Sequence, residues 1–354
     1  MRIAFFNFCL LSLFLLSFSF LEKSVQGQEN NSVMEKKDEE LFNWVKHNIS
    51  PKTKMPLSFQ IPSGRNQQVY QEMGSADSVN AIIERVIVDE GLEVYDGAVA
   101  QIVLTLNGGE ENLAQAFLPL EVYWQGHLGE LTNIRSGYPD QPFIYDPNNP
   151  TVVSSDLSKE GQRGFVFRLI DAHGQYNTSD PLDGKTEFKD FPTWPTVHWE
   201  DWKPIAGENA WIVLAAMQLF HKKYFVAGEG RYQRPAREGI ELKLAEELAR
   251  AALLLQAENG GIRMSPMGTY YGFSDPEQES SLLTAEEELH NSWWYNSIST
   301  ENNISWYAAL RTLYTVTQRV VYRQAMDKIE SYFKSVWNAD EKFFYQGAHW
   351  KDGL

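Results

Sequence analysis

Across 354 residues, 47 acidic side chains outweigh 31 basic ones, and the resulting formal charge of −16 opposes phosphate backbones and anionic lipid surfaces, which bind to positive patches. Nucleic acid is therefore excluded as an expected partner. The only cysteine, Cys9, lies in an apolar N-terminal run, so the rest of the chain offers no thiol for a disulfide, a zinc thiolate site or a Cys nucleophile and must be held by its hydrophobic core.

The chain opens with Met1-Arg2-Ile3-Ala4-Phe5-Phe6 and stays almost wholly apolar to Phe20, with a polar exit through Glu22, Lys23 and Ser24. One early charge, an apolar run and small residues at Val25 and Gly27 form a signal peptide pattern, with cleavage expected after Gly27 and a secreted or periplasmic mature protein. Contact with a membrane is expected only if this segment is retained as an anchor, since about 18 apolar residues suffice to span one. Residues 28–66 are polar and charged and read as a linker or N-terminal extension with one short helix from Glu39 to Asn48. Residues 67–354 form the main domain, with further helical pattern over 75–89.

Three stretches of that domain share one plan: an apolar helix with an acidic residue in its first turn, a turn, then an amphipathic helix running back. The first opens at Tyr95-Asp96-Gly97-Ala98-Val99-Ala100, turns at Asn107-Gly108-Gly109 and returns over Glu110 to Gln125. The second opens at Gly207-Glu208-Asn209-Ala210-Trp211, is apolar to Phe220, and returns from Gly239 to Ala257, where Gly260 is the expected helix terminator. The third opens at Ser299-Thr300-Glu301-Asn302-Asn303, with Ser299 and Thr300 as N-cap hydroxyls, runs to Thr317 and returns from Val321 to Trp337. The long intervening segments are rich in Tyr, Trp, Pro, Gly and Asp, a sign of function or insertion. Within them, residues 164–171 read as a short strand and Trp194, Trp199 and Trp202 as rings on a loop.

These three helix openings resemble the inner-helix openings of six-hairpin, (α/α) toroid carbohydrate-active proteins, over about residues 78 to 350. The resemblance implies a mainly α fold built from helical hairpins, with substrate lying over the end where the inner helices start. Only three clear pairs, or four counting the helices at 39–48 and 75–89, precede Leu354, and another hairpin is expected where Phe343-Phe344-Tyr345-Gln346-Gly347 begins, so the expectation is either an incomplete toroid of about 3–4 of six pairs or an open arc.

Asp96, Glu208 and Glu301 are expected at one shared place, the first turn of successive inner helices, where carboxylates converge on a common depression. Glycoside hydrolysis needs such groups, one to protonate the leaving oxygen and one to activate water or attack the anomeric carbon. The competing reading is that acidic residues sit at helix N-termini for the dipole alone. That dipole favours the ionised form, suiting a base or nucleophile, so the acid is sought elsewhere: Asp201, in the aromatic context His198-Trp199-Glu200-Asp201-Trp202, is a candidate with Glu200 as its neighbour. Tyr95, Asn209, Trp211, Trp199, Trp202, Asn302, Trp306 and His290 are candidate substrate-binding residues, because aromatic rings pack on the C–H faces of sugars and amides bind hydroxyls. Trp211 and Trp306 are read as helix core ahead of a sugar platform. No metal site or cofactor motif is found. Asn30-Asn31-Ser32, Asn48-Ile49-Ser50, Asn177-Thr178-Ser179 and Asn303-Ile304-Ser305 match the glycosylation acceptor pattern.

The expected function is a secreted carbohydrate-active enzyme, a glycoside hydrolase acting on an oligo- or polysaccharide. The alternatives are a polysaccharide lyase or sugar epimerase on the same scaffold, with Tyr or His moving protons, and a non-catalytic carbohydrate-binding helical array.

Overall fold

The structure, a computed structural model, describes residues 31–49, 56–58, 91–124, 165–166, 169–171, 198–201, 205–233, 239–265 and 293–349. The expected signal peptide, the helix at 75–89 and residues 28–30, 50–55 and 59–66 of the polar extension lie outside the described residues. The chain divides into two compact units, residues 1–44 and 45–354. Helix α1 (Asn31–His47) is longer at its start than the ten-residue pattern from Glu39 indicates. In the larger unit, Asn48 follows it, and its side-chain amide donates to the Leu57 carbonyl at 2.6 Å. Ser58 Oγ then accepts the Glu93 amide at 2.7 Å, which ties this segment to the start of the helical array.

Among the described residues the larger unit is mainly helical. It contains three hairpins: α2 (Val94–Asn107) with α3 (Glu110–Trp124), α4 (Ala206–Tyr224) with α5 (Ile240–Leu254), and α7 (Thr300–Thr317) with α8 (Val320–Ser335), the one-turn α6 (Trp293–Asn296) preceding the third. Helix α4 packs on both α2 and α7, while α3, α5 and α8 each cover the partner of their own hairpin and α3 also meets α5. The result is an inner row α2, α4, α7 backed by an outer row. The sequence explains which helix is central: Ala210, Ile212, Val213, Ala215, Ala216, Met217, Leu219 and Phe220 of α4 are all buried, an apolar surface on nearly every side, as a helix enclosed by neighbours requires. Helix α8 instead buries a single stripe, Tyr322, Ala325, Met326, Ile329 and Tyr332. At the far end of α4, the Lys223 ammonium pairs with the buried Glu241 carboxylate at 2.6 Å and lies over the Phe117 ring, joining α4, α5 and α3.

Extended segments run beside the helix starts. Strand β1 (Gly91–Glu93) leads directly into α2 and pairs antiparallel with β2 (Leu169–Asp171), which pairs antiparallel with β3 (His198–Asp201). Strand β2 lies in the expected strand, but β3 places Trp199 and Asp201 in a sheet ladder and not on a loop. Two short hairpins, β4 (Phe225–Val226) with β5 (Arg231–Tyr232) and β7 (Trp337–Asn338) with β8 (Phe343–Phe344), follow α4 and α8, and β9 (Gly347–His349) returns to pair with β6 (Ser297–Ser299). Residues 343–347 therefore close the third unit and do not open a further helix.

A repeated asparagine clamp fixes these segments to the helices. Asn209, the fourth residue of α4, is fully buried; its Oδ1 accepts the Val166 amide at 2.8 Å, and its Nδ2 donates to the carbonyls of Val166 and Ile205, both at 2.9 Å. Asn303, the fourth residue of α7, repeats the pattern on Ile262, at 2.7 Å and 3.0 Å, and on Ser299 O at 2.8 Å. Each clamp satisfies a buried backbone donor and acceptor that would otherwise go unpaired. The helix starts are satisfied in parallel: Ala206 N–H donates to Met264 O at 2.7 Å and Thr300 N–H to Gln346 O at 2.9 Å. Ser299 also caps α7, its hydroxyl accepting the Asn302 amide at 3.3 Å. Thr300 serves instead as the first helical residue, its hydroxyl donating to Tyr345 O at 2.7 Å.

Helix α5 ends at Leu254, so Gly260 is not its terminator. Gly260 occupies the turn that follows, at φ 93°, where a Cβ would lie 2.1 Å from the Lys328 carbonyl oxygen of α8. Gly260→Ala is expected to lower stability by about 2 kcal/mol or more, combining left-handed strain with a backbone clash, whereas Gly228→Ala, with nothing within 4 Å of its Cβ, should change it by less than about 0.5 kcal/mol. Denaturant unfolding checks both. The same measurement separates two adjacent asparagines: Asn303→Ala leaves the buried Ile262 groups unpaired and should cost about 3 kcal/mol or more, and Asn302→Ala less than about 1 kcal/mol.

Candidate functional site

The starts of α2, α4 and α7 come together at one end of the inner row, and all three first turns carry an acidic residue: Asp96, Glu208 and Glu301. The clamps define the register. Aligning Asn209 with Asn303 aligns Ala206 with Thr300, Gly207 with Glu301 and Glu208 with Asn302. Asp96, third in α2, matches Glu208. Glu301 stands one residue earlier than expected, about 100° around its helix from the place held by Asp96 and Glu208. The carboxylates thus share a turn but not a position. In α2 the clamp position is Gly97, and Leu92 packs there, its Cδ1 2.9 Å from where a Cβ would stand.

Tyr95, Gly207 and Glu301 are equivalent in this register, and the glycine removes the side chain from the middle helix. Asn302 presses against the vacated space: a Cβ on Gly207 would lie 2.1 Å from Asn302 Oδ1. Tyr95 and Glu301 interact across the start of α4. Burial raises the Tyr95 phenol above its ordinary pKa, and the carboxylates of Glu301 and then Asp96 push it further. The Tyr95 ring meets the Trp211 ring edge to face, centroids 5.1 Å apart at 79°. Glu301 is exposed to solvent, while Asp96, Glu208 and Trp211 are half-buried and the Glu208 Oε2 is shielded. Asn302 Nδ2 is buried and makes no hydrogen bond among the described residues, leaving a donor at this place.

Other candidates are placed differently. Asn209 is not available to a ligand, because its amide is consumed by the clamp. Trp306 is fully buried (0% exposed) and stacked on Phe165 at 6.2 Å, so neither face of its ring is open to a sugar. The backbone register aligns Asp201 with Leu169 and Leu169 with Glu93, two strands away, which puts Asp201 at the end of the sheet from which α2 begins, about 10 Å from Glu93. Trp202 and His290 lie outside the described residues. Two acceptor asparagines are excluded as glycosylation sites on the folded chain: Asn303 is fully buried in its clamp and Asn48 is buried against Leu57.

The residue that sequence reasoning missed is Gly207. Its signal was present, since a glycine in the first turn of an otherwise apolar helix has a helix-propensity cost that asks for a reason. Among the described residues no group of His, Cys, Asp and Glu side chains is arranged to hold a metal ion. Among them, no helix is long and apolar enough to cross a membrane.

Replacing Glu301 by Gln removes the stronger of the two carboxylate effects on Tyr95, leaving burial and Asp96. Its ionisation midpoint is therefore expected to fall in E301Q, seen by tyrosinate ultraviolet absorbance as one phenol titrating at lower pH than in the parent; an unchanged titration would contradict the placement of Glu301 beside Tyr95. No protein-family model matches the chain, and no curated protein is found to be similar to it.

Proposed function

We propose that the chain is a secreted carbohydrate-active enzyme, a glycoside hydrolase acting on an oligo- or polysaccharide, with its helical hairpins arranged as part of an (α/α) toroid. The observation that carries this reading is the constellation above Gly207: a tyrosine between two carboxylates, an aromatic ring beside it and an unpaired amide donor, all at the starts of the inner row. Carboxylates and an amide suit sugar hydroxyls, and Trp211 with Tyr95 offers an aromatic wall for the C–H face of a ring. Solvent-facing Glu301 is assigned to activate water, and Glu208, partly withdrawn from solvent, to protonate the leaving oxygen, with Asp96 supporting it.

The same constellation speaks against the lyase or epimerase alternative. A tyrosinate base needs a cationic or hydrogen-bonding environment that lowers its pKa, and Tyr95 is surrounded by effects that raise it.

The test is a hydrolysis screen of the chain from Gln28 against neutral α- and β-glucans, mannans and xylans. Reducing sugar should be released from one of them, and E208Q and E301Q should each lower kcat by about 10²-fold or more while keeping the parent circular dichroism. Turnover that survives both substitutions would move the chemistry away from these helix starts. Binding without any turnover would favour the non-catalytic array.

A further inference from the structure

The clamp that joins successive hairpins has a receptor half and an asparagine half, and a third receptor stands open. After the C-cap Leu255 of α5, Gln256 pairs with Ile262 across a tight turn, with Arg263 N–H donating to Leu255 O at 3.1 Å and Ala257 N–H to Gly261 O at 2.8 Å. These flanking bonds make Gln256–Ile262 a non-hydrogen-bonded pair, so the Ile262 N–H and C=O point away from the turn and into Asn303. After the C-cap Val336 of α8 the same plan recurs: Trp337 pairs with Phe344, and Tyr345 N–H donates to Val336 O at 2.9 Å. Phe344 therefore turns its N–H and C=O outward as Ile262 does, and no hydrogen bond to either is made among the described residues.

The surroundings differ as an unoccupied receptor requires. Val166, Phe165 and Ile262 are fully buried under the next helix, whereas Trp337 and Phe343 are each 40% exposed, Phe344 49% and Tyr345 51%. The four rings line the two faces of this ribbon, Trp337 with Phe344 on one, centroids 4.7 Å apart, and Phe343 with Tyr345 on the other, 5.3 Å apart. Exposed large apolar side chains on both faces of an edge that also carries unpaired backbone groups mark an interaction surface. Its occupant can be named by continuity with the two clamps already described.

We propose that the Trp337/Phe343–Tyr345 edge is a docking surface for one further helical hairpin of the same type, its first helix carrying Asn as the fourth residue and clamping the Phe344 amide and carbonyl. The rings of the edge are then covered as Phe165 and Val166 are covered by α4 and Trp306.

The experiment appends to Leu354, through a Gly/Ser linker of about 30 residues, long and flexible enough to reach the edge, a copy of residues 293–336, which contains its own Asn303. Helical content should rise, and the Phe344 amide should become protected from hydrogen exchange by about tenfold or more relative to an appended copy carrying Asn303→Ala. Equal protection by both copies, or none from a helical copy, overturns the proposal. A copy that stays non-helical overturns it too, because an edge shaped for such a hairpin supplies the contacts that fold it. On the unextended chain, Phe344→Ser should leave the melting temperature within about 2 °C of the parent; a larger fall means that the ring serves this chain's own core and also counts against the proposal.

Discussion

The helical array depends on how an extended strand of polypeptide is buried between two helix starts without leaving its amides and carbonyls unpaired. A primary amide is the smallest side chain that presents a donor and an acceptor in one plane, and Asn209 and Asn303 each use theirs to mimic a strand partner for a single residue. The second Nδ2 hydrogen reaches the carbonyl four residues back, so the clamp also locks its own rotamer. A rigid clamp sets both the axial position and the rotation of the helix that carries it. That is why α4 and α7 can be aligned residue by residue although their sequences share little else.

This register, more than the presence of acidic residues, gives the candidate site its character. Because Gly207 falls opposite Tyr95 and Glu301, the middle helix contributes backbone where its neighbours contribute side chains, and the groups to either side interact over it. The offset of Glu301 by one residue, about 100° around its helix, from the place of Glu208 gives the two carboxylates different solvent exposure. Two acids in different environments are what acid–base catalysis uses, and three identical placements would have offered only repulsion.

Helix existence and pairing were legible in the sequence because they rest on local periodicity: the expected turn at Asn107–Gly109 and the openings near Gly207 and Thr300 agree with α2, α3, α4 and α7 to within a residue or two. What was not legible depends on distant partners. Nothing local distinguishes Asn303, a structural clamp, from Asn302, whose buried amide nitrogen makes no hydrogen bond among the described residues, since the difference is set by Ile262, 41 residues away. Trp306 was readable as either core or platform until Phe165 was found stacked on it. Strand β3 was hidden because its neighbouring tryptophans and prolines resemble a loop, and only pairing with β2 makes it a strand.

Asn303 also stands in an Asn-Ile-Ser acceptor sequence, and its burial has a kinetic consequence. Oligosaccharide transfer acts on chains that have not yet folded, and a glycan would replace an Nδ2 hydrogen that the clamp needs while adding bulk where no space exists. In any secretory route that glycosylates nascent protein, closure of the third hairpin onto Ile262 would race against transfer at Asn303. The asparagine that fastens this hairpin would then act as a timer, and molecules modified before closure would be left with the hairpin undocked.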